Sequence, residues 1–292
     1  MAADMRVRVL GTAAGGGLPQ WNCACEVCGA ARAAATGRTQ DCLAVSGDGT
    51  AWWLVNASPD IRSQILAAPE LVPGPARRRT PLRGALLTSA ELDHTLGLAA
   101  LREARDFTVH GTAAVLEALP VRGVIDPYGG FRWSPVGNTE LELAGGLTVR
   151  AVPVGRKRPR YAAGAPDAGD WVVAYRLTDP RTGGVLVYAP CLAAWSPALA
   201  AAAEGAGCVL LDGSFFTDDE MTERTGAGPT ALAMGHLPIS DSLARRAAYP
   251  SARWLYTHLN NTNPVLVEDS PQRRAVERAG AEVAADGMLL EL

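Results

Sequence analysis

The sequence has no uninterrupted apolar run long enough to cross a bilayer, although 48% of its 292 residues are hydrophobic. It also has no excess of positive charge, because the formal net charge is −3. The first absence argues against a membrane protein. The second leaves no electrostatic surface for nucleic acid or for an anionic membrane. We therefore predict a cytoplasmic protein with neither nucleic acid nor a membrane as a partner.

The N-terminal segment lacks the apolar stretch of an export signal, and residues 5–10 instead alternate between polar and apolar side chains, as a strand does. Internal repeats and low-complexity linkers are absent as well. A charged fraction of 20% is ordinary for a globular chain. Length alone permits one large domain or two. Because no linker divides the chain, we predict a single domain over residues 1–292.

Strand-like and helix-like segments alternate along the chain, which predicts an α/β domain of layered sheets and helices. Strands are predicted where short apolar runs end at turn residues, and helices where apolar residues recur at helical spacing. The predicted strands are residues 6–10, 42–46, 52–56, 84–88, 107–110, 147–154, 171–177, 185–188, 208–211, 254–257 and 288–292. The predicted helices are residues 60–66, 96–105, 242–248 and 272–279. Residues 155–169 are predicted to form a long loop.

Cysteine is unevenly distributed along the sequence. A C-x-C-x2-C cluster is formed by Cys23, Cys25 and Cys28, whereas the other cysteines are scattered, at Cys42, Cys191 and Cys208. Thiolates bind Zn²⁺ tetrahedrally, and close spacing lets one loop supply three of them. We predict a closed, structural zinc site whose fourth ligand comes from elsewhere in the fold. Three ordinary buried cysteines, or a disulfide plus a free thiol, are the alternatives.

Histidine, the other common metal ligand, occurs only four times, at His94, His110, His236 and His258. His94 follows Asp93 between a predicted buried strand and a predicted helix, so this pair is either a metal-ligand pair or a helix-capping aspartate beside a surface histidine. His258 ends a predicted strand, and His236 lies in a loop before a predicted helix. We interpret His110 as structural or solvent-facing, because lone histidines usually are.

Motifs along nearly the whole chain are similar to those of one known family. They occupy residues 10–28, 56–62, 92–94, 181–184, 188–190, 211–213, 234–236, 258–264 and 268–271. In these segments the sequence resembles the pyrroloquinoline quinone (PQQ) biosynthesis protein B family of the metallo-β-lactamase superfamily. This resemblance implies an αββα four-layer sandwich, in which two β-sheets are flanked by helices on both faces.

The resemblance also implies where an active-site metal binds. Hydrolases of the superfamily carry H-x-H-x-D-H where this sequence has Ser89, Glu91, Asp93 and His94, so the first two histidines are missing. No histidine stands at the third position of that metal site either. The resemblance therefore implies that one of two metal sites is lost, and that the other survives with Asp93, His94 and His258 as ligands.

Two histidines and one carboxylate form the facial triad of non-haem Fe(II) oxygenases, with open positions for substrate and O₂. Asp212 stands where the superfamily has a bridging aspartate, as a fourth ligand or as a residue that contacts a ligand. His236 is then available as a proton acceptor for a phenol, or else bonds to backbone beside its helix. Asn261, three residues after His258, is the candidate fourth ligand of the three-cysteine site.

Family membership implies a role in building PQQ from a Glu–Tyr unit of a precursor peptide, with other pathway proteins as partners. We predict an Fe(II)- and O₂-dependent hydroxylase of the tyrosine ring in this small peptide-derived substrate. A mononuclear zinc hydrolase and a non-catalytic carrier or transport factor for PQQ or its precursor are the alternatives. Residues 162–168 lack the family's Ser-Pro-His run, which leaves a related tyrosine-derived substrate open. The oligomeric state is open too, with a homodimer among the options.

Overall fold

The structure is a computed structural model that describes residues 4–166 and 169–292. The strands of the described residues are β1 (Arg6–Gly11), β2 (Cys42–Ser46), β3 (Trp52–Val55), β4 (Leu82–Leu86), β5 (Phe107–Gly111), β6 (Phe131–Pro135), β7 (Leu141–Glu142), β8 (Thr148–Gly155), β9 (Val172–Thr178), β10 (Val185–Ala189), β11 (Cys208–Asp212), β12 (Arg253–Thr257), β13 (Glu282–Val283) and β14 (Leu289–Glu291). The predicted strands all overlap with one of these. Of the predicted loop, Asp167 and Ala168 lie outside the described residues.

The helices are short and lie between the strands. They are α1 (Glu26–Ala33), α2 (Ile61–Ala67), α3 (Leu92–Thr95), α4 (Ala113–Ala118), α5 (Arg122–Ile125), α6 (Pro197–Ala203), α7 (Glu220–Thr225), α8 (Ile239–Ser242) and α9 (Pro271–Arg278). Turns of 3₁₀-helix occupy Pro69–Leu71, Leu96–Leu101, Asp126–Tyr128, Arg160–Ala162, Leu232–Met234, Leu243–Ala248 and Pro264–Leu266. Within the described residues, no helix has both the length and the apolar character that crossing a membrane requires.

The strands form two mixed sheets of seven strands each. The first has the order β14-β1-β2-β3-β4-β5-β6, and the second has the order β13-β12-β11-β10-β9-β8-β7. In the first sheet β3 to β6 run parallel, and in the second sheet β10 to β13 run parallel. Parallel neighbours bring their carboxyl ends to the same edge of a sheet, where ligands of α/β proteins commonly bind.

Three apolar clusters define four layers. One cluster fills the space between the sheets and contains side chains of both, among them Val7, Leu43, Tyr175 and Leu210. A second packs α2, α4 and α5 on the outer face of the first sheet. The third packs α6, α8 and α9 on the outer face of the second sheet. This is the helix-sheet-sheet-helix sandwich implied by the family resemblance, and the fold prediction is confirmed.

The helix predicted over residues 96–105 is wrong. After the single turn of α3, the chain continues as 3₁₀-helix only to Leu101. The reason is a tertiary contact: Gly97 donates its N–H to the Ala57 carbonyl, 2.9 Å away, rather than to its own helix. A Cβ atom at Gly97 would lie 2.1 Å from the Ser58 carbonyl oxygen, so only glycine allows this close approach. The helix predicted over residues 242–248 is likewise a 3₁₀ turn, at Leu243–Ala248.

Candidate active site and three-cysteine site

A pocket of about 210 Å³ opens where the carboxyl ends of strands from both sheets meet. Asp93 and His94 lie on α3, which follows β4; Asp212 is the last residue of β11; and His258 directly follows β12. The pocket is lined by Ala14, Gly15, Ser89, Glu91, Asp93, Lys157, Val172, Cys191, Ser214, Phe215, Met234, Gly235, His236, His258 and Asn260. The strand ends therefore bring together residues that are far apart in sequence.

Asp93, His94 and His258, the predicted metal ligands, lie around one point. The Asp93 Oδ2 is 3.3 Å from His258 Nε2 and 4.0 Å from His94 Nε2. The two imidazole rings meet edge to face, with their centroids 5.3 Å apart. His94 is fully buried, and its Nε2 has no hydrogen-bond partner within the described residues. A buried nitrogen without a partner costs about 1–3 kcal/mol, so a metal ion bound at Nε2 fits this site.

Hydroxyl groups hold the other nitrogen of each imidazole. The Nδ1 of His94 lies 2.8 Å from Ser89 Oγ and 3.2 Å from Thr88 Oγ1, and the Nδ1 of His258 lies 2.8 Å from Ser214 Oγ. His258 has a φ of 55°, a left-handed conformation that is unusual for a residue other than glycine. Bonding at Nδ1 fixes the orientation in which Nε2 can bind a metal.

Burial and neighbouring charges shift the pKa values of all three groups. Burial lowers the pKa of His94 to about 4, so its ring is neutral at pH 7 and can act as a ligand. Burial also opposes a charge on His258, but Cys191 and Asp93 beside its ring raise the pKa of His258 well above its ordinary value. For Asp93 the effect of burial is outweighed by the neighbouring histidines, which lower its pKa. Asp93 is thus ionised and His94 neutral, which are the forms in which these two side chains bind a metal.

Asp212 and His236 form a second group, of which His236 lines the pocket. Asp212 Oδ2 is 2.8 Å from His236 Nδ1, and it also accepts from the Leu192 N–H at 2.8 Å. Asp212 Oδ1 accepts from the Ser214 N–H and Oγ. The structure also brings Asp212, His236 and His258 close enough together to share a metal. Since both oxygens of Asp212 already accept hydrogen bonds, this carboxylate is well suited to orienting His236.

The three cysteines of the N-terminal cluster lie with their Sγ atoms within 4.8 Å of one another. Cys25 precedes α1 and Cys28 lies on it. The Nδ2 of Asn261 is 3.1 Å from Cys23 Sγ, 3.3 Å from Cys28 Sγ and 3.8 Å from Cys25 Sγ. The predicted fourth ligand is therefore beside the thiols. Turning the Asn261 amide by half a turn would present its oxygen to a metal there.

Several pocket residues were not predicted from the sequence. Ser214 joins Asp212, His236 and His258 through its hydroxyl, and Cys191 lies 3.8 Å from His258 Nε2. Both follow strand ends, which is the signal that could have pointed to them. The remaining histidine, His110, lies on β5, is buried and packs against the Trp53 ring at 5.6 Å, so it is structural rather than solvent-facing.

The sheet order and the cluster of histidine and aspartate side chains at the edge of the sheets indicate a β-lactamase superfamily protein. A family model of the Beta-lactamase superfamily domain matches residues 51–259. The chain is 43% identical to coenzyme PQQ synthesis protein B of Azoarcus sp. strain BH72, over 99% of this chain and 100% of that one. It therefore belongs to the coenzyme PQQ synthesis protein B family, and the resemblance seen in the sequence is confirmed.

Two solved structures are similar to this one. The crystal structure of Zn(2+)-bound PqqB from Methylobacterium extorquens superposes with a TM-score of 0.92 at 37% identity, covering 98% of this chain and 100% of that chain. A diphosphatase from the PhnP family has a TM-score of 0.70 at 21% identity, covering 99% and 98% of the two chains. The second likeness shows the shared fold alone.

Proposed function

We propose that this protein acts in the biosynthesis of PQQ, as an Fe(II)- and O₂-dependent hydroxylase of the tyrosine ring in a Glu–Tyr-derived precursor. The pathway is supported by the names of its relatives, and other PQQ-pathway proteins are the partners that it implies. The reaction is supported by one observation above all: Asp93, His94 and His258 surround a single point in the pocket, and the histidines of a second metal site are missing.

The ligand set favours one metal in the pocket. Asp93, His94 and His258 are the two-histidine, one-carboxylate set of mononuclear iron oxygenases. Ser89 and Glu91 stand where the first metal of a hydrolase would find histidines, and Ser89 instead contacts the His94 ring at 2.8 Å. When bound here, Fe(II) would supply the activation of O₂. Zn²⁺ would occupy the three-cysteine site, in keeping with the zinc that the relative from Methylobacterium extorquens binds.

His236 is the residue that we expect to take the phenol proton. A neutral imidazole that donates its Nδ1–H to Asp212 keeps Nε2 as a proton acceptor. His236 lines the pocket, and its ring stacks on that of His258 with centroids 5.5 Å apart. Asp212 then has a positioning role, because its other hydrogen bonds hold it in place. Removing the phenol proton makes the ring more electron-rich and easier to hydroxylate.

The size and lining of the pocket suit one aromatic ring with charged groups at its edge. A volume of about 210 Å³ is below the ~300–1,000 Å³ of sites for drug-sized ligands. Phe215 lies on one wall, and Glu91 and Lys157 provide one charge of each sign. Lys157 is the single lysine of the whole sequence. We expect Lys157 and Glu91 to bind the carboxylate and ammonium groups of an amino-acid substrate.

The test is O₂ uptake by protein that carries zinc and is reconstituted with Fe(II) under anaerobic conditions. A Glu–Tyr-derived substrate is added with a reductant that supplies the electron pair for each ring hydroxylated, and the product is identified by its mass. Oxygen uptake coupled to gain of one oxygen atom supports the proposal. Asp93→Ala should abolish both.

The contrary outcomes separate the alternatives. Cleavage of the substrate by the zinc-loaded protein in the absence of O₂ would make it a mononuclear hydrolase, in which a zinc-bound hydroxide attacks. Tight binding of PQQ or its precursor by Asp93→Ala as well as by the unchanged protein, without any turnover, would make it a carrier.

A further inference from the structure

Cys191 lies on the wall of the pocket, next to the metal-ligand set. Its Sγ is 3.8 Å from His258 Nε2, and the Cys191, His94 and His258 ligand atoms all lie within 4.8 Å of one another. We propose that the Cys191 thiolate is a fourth protein ligand of the active-site metal, beside Asp93, His94 and His258. This inference rests on the metal set of the proposed function and specifies it further.

The distances fit a single coordination sphere. A tetrahedral site with metal–nitrogen, metal–oxygen and metal–sulfur bonds of about 2.0–2.3 Å has ligand atoms about 3.3–3.8 Å apart. His258 Nε2 is 3.3 Å from Asp93 Oδ2 and 3.8 Å from Cys191 Sγ. His94 Nε2 is 4.0 Å from Asp93 Oδ2. Asp93 and Cys191 thus both lie beside His258 Nε2 at the separations that a shared metal would impose, and His94 lies slightly farther from Asp93.

A second observation points to a ligand at the same place. The Nε2 of His94 is fully buried and has no hydrogen-bond partner in the described part of the chain. His94 belongs to the group of close potential ligands that includes Cys191. A metal between them would satisfy the nitrogen and the sulfur at once, whereas a thiol that merely filled the core would leave the His94 nitrogen unsatisfied.

The backbone around Cys191 is held in place by hydrogen bonds. The next residue, Leu192, donates its N–H to Asp212 Oδ2 at 2.8 Å and accepts from the Leu237 N–H at 2.5 Å. Other buried cysteines have different surroundings: the Sγ of Cys42, for example, lies 3.2 Å from the Asn56 carbonyl oxygen. Cys191 is thus fixed beside an imidazole nitrogen in a way that suits a ligand.

Binding would convert the thiol to a thiolate. The S–H bond breaks, the proton leaves to solvent, a sulfur–metal bond forms, and neither the metal nor the sulfur is oxidised. Four protein ligands close a tetrahedral zinc site, while six-coordinate Fe(II) keeps two positions for substrate and O₂. Because thiolate is a soft ligand, we expect Cys191 to strengthen the binding of zinc more than the binding of Fe(II).

The experiment uses Co(II) as a spectroscopic probe of protein whose three-cysteine site is already filled with zinc. Titration with Co(II) should produce d–d bands together with a near-ultraviolet sulfur-to-cobalt charge-transfer band. In Cys191→Ser the charge-transfer band should disappear while the d–d bands remain, and Co(II) affinity should fall about tenfold or more. Cys208→Ser, a buried cysteine on β11 outside the pocket lining, is the matched control and should keep the band.

The outcomes distinguish this inference from the proposed function. A charge-transfer band of equal strength in Cys191→Ser, with unchanged affinity, overturns the role of Cys191 and leaves the three-ligand iron site intact. Absence of any Co(II) binding at the pocket of the unchanged protein overturns both.

A measurement on the unchanged protein covers the case in which Cys191→Ser does not fold. Alkylation of Cys191, followed by mass spectrometry, should slow about tenfold or more when Co(II) fills the pocket, as expected for a ligand thiol. Equal alkylation with and without the metal would contradict the inference.

Discussion

The three-cysteine site and the pocket both gather metal-binding side chains, but they are built in different ways. Cys23, Cys25 and Cys28 come from one short loop, and Asn261 is a residue distant in sequence that lies beside them. The proposed ligands of the pocket instead come from α3 and from the ends of strands in the second sheet, with Asp93 and His258 separated by 165 positions in the sequence. A local site can form as soon as its loop meets a metal, whereas a distributed site requires the completed fold.

One segment joins the two sites. His258 belongs to the pocket and Asn261 to the thiol cluster, and only two residues separate them. Next to Asn261, the Thr262 hydroxyl donates to the Glu220 carboxylate at 2.7 Å, and Glu220 also accepts from the Phe216 N–H at 2.6 Å. Zinc at the cysteines would therefore hold in place the chain that carries His258. We therefore predict that a substitution in the pocket affects only the pocket, whereas a substitution in the three-cysteine site also weakens metal binding in the pocket.

Replacing His258 by alanine should have the largest effect on the pocket. We expect loss of about one equivalent of iron and of all O₂ uptake, because the ligand lies at the centre of the cluster. The zinc of the cysteine site should remain, as measured by elemental analysis. His110→Gln changes a buried histidine outside the pocket and should keep both metals. Retention of iron by His258→Ala would disprove this ligand assignment.

Cys25→Ala, in contrast, should affect both sites. We expect loss of the zinc and a fall in the free energy of unfolding of more than about 4 kcal/mol, since loss of a structural metal is among the largest single effects. Affinity for Fe(II) should fall as well, because the segment from His258 to Asn261 loses its anchor. Urea unfolding and metal analysis measure both. Cys42→Ala, a buried cysteine of β2, is the control and should keep the zinc.

His236→Gln should separate proton transfer from metal binding. Glutamine can still donate to Asp212 but cannot accept the phenol proton, so kcat should fall about 10²-fold or more while the iron content stays the same. Steady-state O₂ uptake measures the rate. Phe215→Leu changes the neighbouring wall without removing a proton acceptor, and a fall in kcat of the same size there would argue against the role of His236.

Glu220→Gln should have the smallest effect of these substitutions. Its effect is a change in the way that the free energy of unfolding depends on pH. Burial raises the pKa of Glu220 to about 7. Because this value is above that of the unfolded chain, the contribution of Glu220 to stability is complete below about pH 4.5 and is lost as the pH rises through 7. Between pH 5 and pH 8, ionisation of Glu220 should lower the free energy of unfolding by up to about 3 kcal/mol.

Glutamine can make the same hydrogen bonds without titrating. The free energy of unfolding of the metal-loaded Glu220→Gln variant, measured in urea, should therefore depend less on pH than that of the unchanged protein. If the free energy of unfolding changes equally with pH in the two proteins between pH 5 and 8, the assignment of this titration to Glu220 is contradicted.

The two sites also differ in how far the sequence predicted them. The cysteine cluster was evident from spacing, because three ligands within one loop form a local pattern. Asp93, His94 and His258 were predicted as metal ligands through family resemblance, since no local rule joins an aspartate to a histidine on another sheet. Cys191 and Ser214 escaped prediction because a single cysteine or serine after a strand carries no pattern of its own.

The secondary-structure predictions likewise succeeded where the signal is local and failed where a distant contact decides. Most strands were predicted, because alternating or continuous apolar runs are a local property of the chain. The helix expected over residues 96–105 failed at Gly97, whose N–H bonds to the Ala57 carbonyl of a segment far back in the sequence. Helical periodicity is a weak signal when a tertiary hydrogen bond and close packing favour a 3₁₀ turn.

The sequence by itself determined the strand pattern, the three-cysteine loop and, through its motifs, the family. Only the tertiary structure decided which atoms meet: the Nε2 of His94 beside Asp93, the Cys191 thiol beside His258, the Asp212 carboxylate on His236, and the Asn261 amide over the thiols. The physical reason is that hydrophobic spacing is read along the chain, whereas coordination depends on separations of a few ångströms set by sheet order and packing.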